Sequence, residues 1–341
     1  MKQDVISFQE ALEISGEKRH LLLGNGFSIS WKPDTFRYDS LYNRANFKKL
    51  SPNVKDVFEQ LNTKDFELVM RSIQSAAEIL KVYSPSNTKL ISEIEHDAKE
   101  LKKLLVNTIA SHHPENPNEI TESEYYKSNL FLKNFQCVYT LNYDLLLYWV
   151  VMHYNEVNEK PKYDDGFRTP DSGKAEYVTW DIEKTRNQNI FYLHGALHIF
   201  DEGSELQKYT WVNTGVKLIE QIRKALDKNF FPVFVSEGTS KEKKEKIVHS
   251  NYLSRGYRSF ASIGNSLFIY GHSLADNDDH ILNLIPKGKI SKLFVSLYGD
   301  SSSEENKKII KKTSSFKESR KIEKYPLEIY FYDSSTVKIW K

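Results

Sequence analysis

The sequence predicts an α/β protein in which a mostly parallel sheet is covered by helices on both faces. Short apolar runs recur at residues 19–24, 135–141, 190–194, 231–235, 266–270, 292–298 and 327–332. Runs of this length without polar alternation suit strands buried on both faces. Helical patterns fill many of the intervals after residue 134, and helices between strands imply parallel crossovers. Between about residues 39 and 134 the pattern is helical, which interrupts the series after its first strand.

In chain order, residues 5–15 read as a short helix. RHLLLG at 19–24 is an apolar run ending at a glycine. Ser51-Pro52 is a helix start, with Val54, Val57, Phe58 and Leu61 on one face. Phe66, Val69, Met70, Ile73, Ala77 and Leu80 continue that spacing. Leu90, Ile91, Ile94, Ala98, Leu101, Leu105 and Ile109 form a further amphipathic face, and Pro114 and Pro117 break it. Residues 39–134 are thus expected to be a helical lobe inserted into a Rossmann-like domain made of residues 1–38 and 135–341. Further helices are expected at 144–155, 215–229, 240–262, 275–285 and 303–313, with a weaker strand at 336–340.

Composition narrows the functional classes. Of 341 residues, 39% are hydrophobic and 13% aromatic, enough for a full core, which excludes a disordered chain. Lys+Arg 48 against Asp+Glu 46 leaves +2, so no strong direct nucleic-acid binding is expected. The single cysteine, Cys137, excludes an internal disulfide and a four-thiolate zinc site. The N-terminal MKQDVISFQEALEISGEKRH lacks an apolar signal core, and no run approaches the ~18 apolar residues of a membrane span. A reduced, cytoplasmic protein away from membranes is expected.

Four polar motifs each follow an apolar strand. Gly24-Asn25-Gly26-Phe27-Ser28 supplies glycines where a backbone must turn sharply and approach a phosphate. An ordinary strand-to-helix turn uses the same residues. Thr140-Leu141-Asn142-Tyr143-Asp144 offers an amide and a carboxylate at a strand end; Asp144 also suits a helix cap before LLLYWVV. His194-Gly195 places an imidazole that titrates near neutrality beside an open position, and His198 is its alternative. Gly271-His272-Ser273 fits a ribose or phosphate contact, or a turn in which Ser273 or Asp276 caps the next helix. Asp276, Asp278 and Asp279 have no matching ligand cluster in the sequence, so no metal is expected. Lys241–Lys246 carries both signs and reads as a solvated helix face. Parallel strands would carry the four motifs to one rim, as a nucleotide cleft requires.

Taken together and in this order, the motifs resemble the sirtuin fold. The Gly24–Ser28 segment resembles the sirtuin Gly-x-Gly-x-Ser loop, and Pro33-Asp34-Thr35-Phe36-Arg37 loosely matches a Pro-Asp-Phe-Arg-like segment with one inserted residue. Thr140–Asp144 resembles Thr-Gln-Asn-Ile-Asp, His194-Gly195 resembles the catalytic His-Gly, and Gly271–Ser273 resembles the late Gly-Thr-Ser loop. LLLGNGFS, YTLNYDLLLYW, FYLHGALH, VSEGTS and GHSLADND extend the likeness to an uncharacterised bacterial sirtuin-like branch related to anti-phage NAD hydrolases.

The resemblance implies hydrolysis of NAD+ to nicotinamide and ADP-ribose. Asn142 would orient the attacking water or a ribose hydroxyl, and His194 would act as general base. Gly24, Asn25, Gly26, Phe27, Ser28, Asp34, Asp144, Gly271, His272 and Ser273 would contact the nucleotide. Deacylase sirtuins hold a four-cysteine zinc module that a chain with Cys137 alone cannot build, so no zinc is expected and water becomes the acceptor. The resemblance also implies a homo-oligomer or a hexameric DNA-translocase ATPase as partner. NAD or ADP-ribose binding without turnover, as a regulatory module of a defence complex, is the alternative.

Overall fold

The computed structural model describes all residues except 1–3, 37–41, 43–44, 64–65, 113, 115–116, 159, 161, 171–176, 202–204, 210–219, 222–231, 236–238 and 321–325. Its strands are β1 (Val5–Ile6), β2 (Arg19–Leu23), β3 (Cys137–Thr140), β4 (Phe167–Arg168), β5 (Tyr177–Trp180), β6 (Ile190–Tyr192), β7 (Gly195–Asp201), β8 (Leu206–Tyr209), β9 (Pro232–Phe234), β10 (Gly264–Tyr270), β11 (Lys289–Leu297) and β12 (Glu328–Asp333). Seven of them form a sheet of order β1-β12-β11-β10-β2-β3-β6 in which every pair is parallel. The architecture is α/β and Rossmann-like, as the apolar runs require.

The central strands are buried without alternation. Leu21, Leu22 and Leu23 of β2, Leu267, Phe268 and Ile269 of β10, and Leu293, Phe294 and Val295 of β11 are fully inaccessible. Each such side chain is worth about 1.5–3 kcal/mol relative to exposure, which fixes the register. Phe268, Phe294 and Tyr330 are partners across β10, β11 and β12, and their rings stack 4.4 and 5.0 Å apart.

Between β2 and β3 run the helices Pro52–Gln60, Phe66–Tyr83, Thr88–His112 and Glu122–Leu132. Ser51 caps the first, with Pro52 opening it, and its hydroxyl accepts from the Asn53 amide at 3.3 Å. Phe58, Phe66 and Met70 from this block join the same continuous apolar cluster as the sheet residues.

Several segments depart from the expected pattern. Residues 5–15 are a strand followed by a helix. Ser7 and Glu10 form a capping box that starts the helix at Phe8, which frees Val5 and Ile6 to pair with β12. The described part of the run 231–235, residues 232–235, does not enter the parallel sheet. Pro232–Phe234 lies at the edge of a second, antiparallel sheet of order β4-β5-β8-β7-β9; a proline, lacking N–H, suits an edge. The expected helix 240–262 is two helices, Ser240–His249 and Asn251–Ser262, and Ser250 caps the second. The 275–285 segment is a 3₁₀ turn followed by two four-residue helices. Residues 336–340 form no strand, although Val337, Ile339 and Trp340 are buried. Of the helix expected at 215–229, only residues 220–221 are described, and both are helical.

Candidate active site

A cleft of about 1160 Å³ opens at the carboxyl ends of β2, β3, β6 and β10, and Gly24, Asn142, His194 and Gly271 all line it. The position follows from the topology. From β2 the chain moves to one side, through β3 and β6, then returns to the other side of β2 for β10. Ligands of open parallel sheets bind where the strand order reverses in this way.

The glycines are demanded by the meeting of two loops. A Cβ on Gly26 would lie 2.5 Å from the Gly271 Cα, and one on Gly24 would lie 2.5 Å from the Gly271 carbonyl oxygen. Gly271 itself has φ +66°, a region that favours glycine. The Gly26 amide donates to the Gly271 carbonyl at 2.8 Å, and the Gly271 amide donates to Ser296 Oγ at 2.9 Å. The amides of Gly24, Phe27 and Ser28 also donate to backbone carbonyls. The loop therefore offers a ligand close backbone approach more than a set of unengaged donors. Asn25 is held by its side-chain amide, which donates to the Phe36 carbonyl at 3.0 Å.

Beneath this loop Ser28 Oγ donates to Asp144 Oδ2 at 2.5 Å, and Asn142 Nδ2 donates to Ser28 Oγ at 3.2 Å. Asp144 Oδ1 accepts from the Leu146 amide at 2.9 Å, so the carboxylate caps the turn and also anchors Ser28. Burial raises the Asp144 pKa, opposed by these two hydrogen bonds. Ser28 is thus a support for Asn142 and Asp144.

The remaining sites divide. Phe27 is fully buried against Trp340, with ring centroids 5.0 Å apart, so it acts from below the cleft. Asp34 is exposed and does not line the cleft, although its neighbours Pro33, Thr35 and Phe36 do. His272 and the exposed Ser273 both line it. His198 belongs to β7 and is wholly buried beside the Tyr148 and Tyr192 rings, away from the cleft lining.

His194 stands in a cluster that the sequence did not signal. Its Nε2 is 2.9 Å from His280 Nε2 and 3.9 Å from Asp278 Oδ1. Asp278 Oδ1 accepts from Lys243 Nζ at 3.3 Å, and Asp278 Oδ2 lies 3.1 Å from His272 Nε2. The Leu274 amide donates to His272 Nδ1 at 2.9 Å, so Nε2 carries the proton and donates to Asp278. Leu274 reaches that position with φ +54°, a strained backbone at the cleft. Burial lowers the His194 pKa to about 3, with Lys243 and the neighbouring imidazoles acting in the same direction and Asp278 opposing. Burial likewise holds His280 down to about 4. Both rings are neutral at neutral pH and retain a lone pair. Burial pushes the Asp278 pKa up, but the His272 hydrogen bond and the Lys243 ammonium outweigh it, so the carboxylate stays ionised.

Lys243, Asp278 and His280 complete the constellation. The mixed charges around Lys243 suit a solvated face, yet its side chain is 2% exposed. Ile247, one helical turn on and also buried, marks the inward face of that helix. Asp278 caps no helix through its side chain, which leaves both oxygens for the cluster.

Fold and site together define an α/β protein with a cleft at the topological switch of a parallel sheet. The chain belongs to the family described as Domain of unknown function (DUF4917), whose model matches residues 21–340. No curated protein matches it. Among the described residues, no helix is long and apolar enough to cross a membrane.

Proposed function

We propose that the protein is a sirtuin-like hydrolase of NAD+ that releases nicotinamide and ADP-ribose. The observation that carries this reading is the convergence of Asn142, His194, the Gly24–Gly26 turn and the Gly271–Ser273 loop on one cleft. Their order along the chain is that of the sirtuin motifs. In the reaction the ribose–nicotinamide bond breaks with its electron pair leaving on nicotinamide. Positive charge develops on the ribose as an oxocarbenium-like centre, by analogy with other glycosidic cleavages. Water adds to the anomeric carbon and gives its proton to His194, whose neutral ring holds a lone pair for it. Asn142, braced by Ser28, orients that water or a ribose hydroxyl. Asp144 holds the nicotinamide amide or tunes its neighbours.

The wider reading is an anti-phage effector that depletes NAD+ in the infected cell, restrained until an oligomer or a hexameric DNA-translocase ATPase engages it. Incubation with NAD+ while nicotinamide and ADP-ribose are followed by chromatography tests the chemistry. Equal release of both products is expected. The second reading, NAD or ADP-ribose binding without turnover, is favoured by the low basicity of His194. Saturable NAD+ affinity with no nicotinamide released, alone or with the neighbouring gene product, decides for it.

A further inference from the structure

We propose that His194, Asp278 and His280 form a site for one divalent transition metal of the zinc type, and that filling it shuts off the hydrolysis. The second half rests on the function proposed above; the first does not. One ligand atom from each residue lies within 4.8 Å of the other two. The imidazole nitrogens of His194 and His280 are 2.9 Å apart, and Asp278 Oδ1 is 3.9 Å from the former. Tetrahedral zinc with bonds of about 2.0–2.1 Å places its ligand atoms about 3.3 Å from one another. The two separations bracket that edge and the third, between Asp278 and His280, is within 4.8 Å, so modest side-chain shifts bring the three to bonding distance. Two imidazoles and a carboxylate are a donor set of open zinc sites. Since His194 and Asp278 line the cleft, it has room for a fourth ligand such as water.

The surroundings match an outer shell. His272 donates to the far oxygen of Asp278 and is itself fixed by the Leu274 amide, the kind of support that orients a ligating carboxylate. Lys243 makes the site conditional. Its ammonium lies 3.3 Å from Asp278 Oδ1, the oxygen that faces His194. Ammonium and metal would compete for one carboxylate oxygen, so the lysine sets how much metal is needed. Once bound, the metal takes the His194 Nε2 lone pair, and the base no longer has that atom for a proton.

The test uses the full chain, stripped with a chelator and dialysed. Zn²⁺ affinity is read by competition with a chromophoric chelator, and Co²⁺ binding by its visible d–d bands. One equivalent per chain is expected, with Co²⁺ bands of a four- or five-coordinate nitrogen and oxygen site. Asp278→Asn and His280→Ala are expected to weaken binding about 100-fold or more, and His272→Ala by about 10–100-fold. Lys243→Met is expected to tighten binding about tenfold or more, which a loss of folding cannot mimic. His153→Ala, at a partly exposed ring paired with Glu122, is expected to leave affinity unchanged. Absence of stoichiometric metal, binding indifferent to Asp278→Asn and His280→Ala, or weakened binding in Lys243→Met overturns the site. Zn²⁺ is expected to suppress nicotinamide release reversibly; stimulation overturns the inhibitory half. If NAD+ is not hydrolysed at all, the metal titrations still decide the site.

Discussion

Asn142 and His194 each sit two residues past the end of an apolar strand, so alanine at either leaves the sheet intact. His194→Ala is expected to lower nicotinamide release by ~10²–10⁴-fold, the range of general acid–base catalysis. Asn142→Ala is expected to lose turnover while NAD+ still binds. Circular dichroism, calorimetry and chromatography separate these effects. His198→Ala is no neutral control, because it opens a cavity under Tyr148 and Tyr192; His153→Ala serves instead. A second prediction concerns His20, buried in β2, whose pKa burial lowers from 6.5 to about 4. Between those values the unfolded chain binds a proton that the folded chain refuses. The stabilisation is complete above about pH 6.5 and is lost as pH falls toward 4, by up to about 3 kcal/mol. His20→Leu is expected to flatten this slope in urea midpoints compared at pH 7 and pH 5; an unchanged slope refutes it. At this scale the sequence revealed residues that end apolar runs, such as Asn142 and His194. It concealed Lys243 within KEKKEK and Asp278 within a run of acids, because their roles depend on helices packed over the cleft.

Among the elements, the two glycine turns act as one joint. Gly26→Ala and Gly271→Ala each set a methyl against backbone at 2.5 Å. Each is expected to cost about 1–3 kcal/mol through overpacking, with the left-handed φ adding to the cost at Gly271. Melting temperature and NAD+ affinity are expected to fall together. An unchanged melting temperature in Gly271→Ala would show that the loops do not touch. The seven-stranded sheet was largely legible, because strands buried on both faces leave unbroken apolar runs. The antiparallel sheet was not. Its β5 is half-buried, β8 includes Gln207 and Lys208, and the chain enters β7 through the left-handed Gly195 (φ +74°). The pairing of Val5–Ile6 with β12 was equally hidden, since a two-residue edge strand has no periodicity.

Across the whole molecule, activation by assembly is expected. Size-exclusion chromatography combined with NAD+ turnover checks it; a monodisperse monomer with full turnover and no stimulation by any neighbouring gene product refutes it. A chelator alone is expected not to lower turnover, because no step proposed for the reaction uses a metal. The two ends of the described chain are both tied into the fold, and the later one, with Ile339 and Trp340, lines the cleft itself. β1 pairs with β12 at the sheet edge, and the Trp340 indole donates to the Phe27 carbonyl at 2.9 Å, bracing the turn that begins at Gly24. Trp340→Ala is therefore expected to weaken NAD+ binding although Trp340 lies far along the chain from that turn; undiminished affinity refutes the brace. The same contact imposes an order in time. Phe27 and Trp340 stand 313 residues apart in the chain, so during synthesis the turn exists long before the contact that braces it can form. On the function proposed above, a chain that carries the turn but not yet residue 340 holds NAD+ more weakly than one in which the two have met.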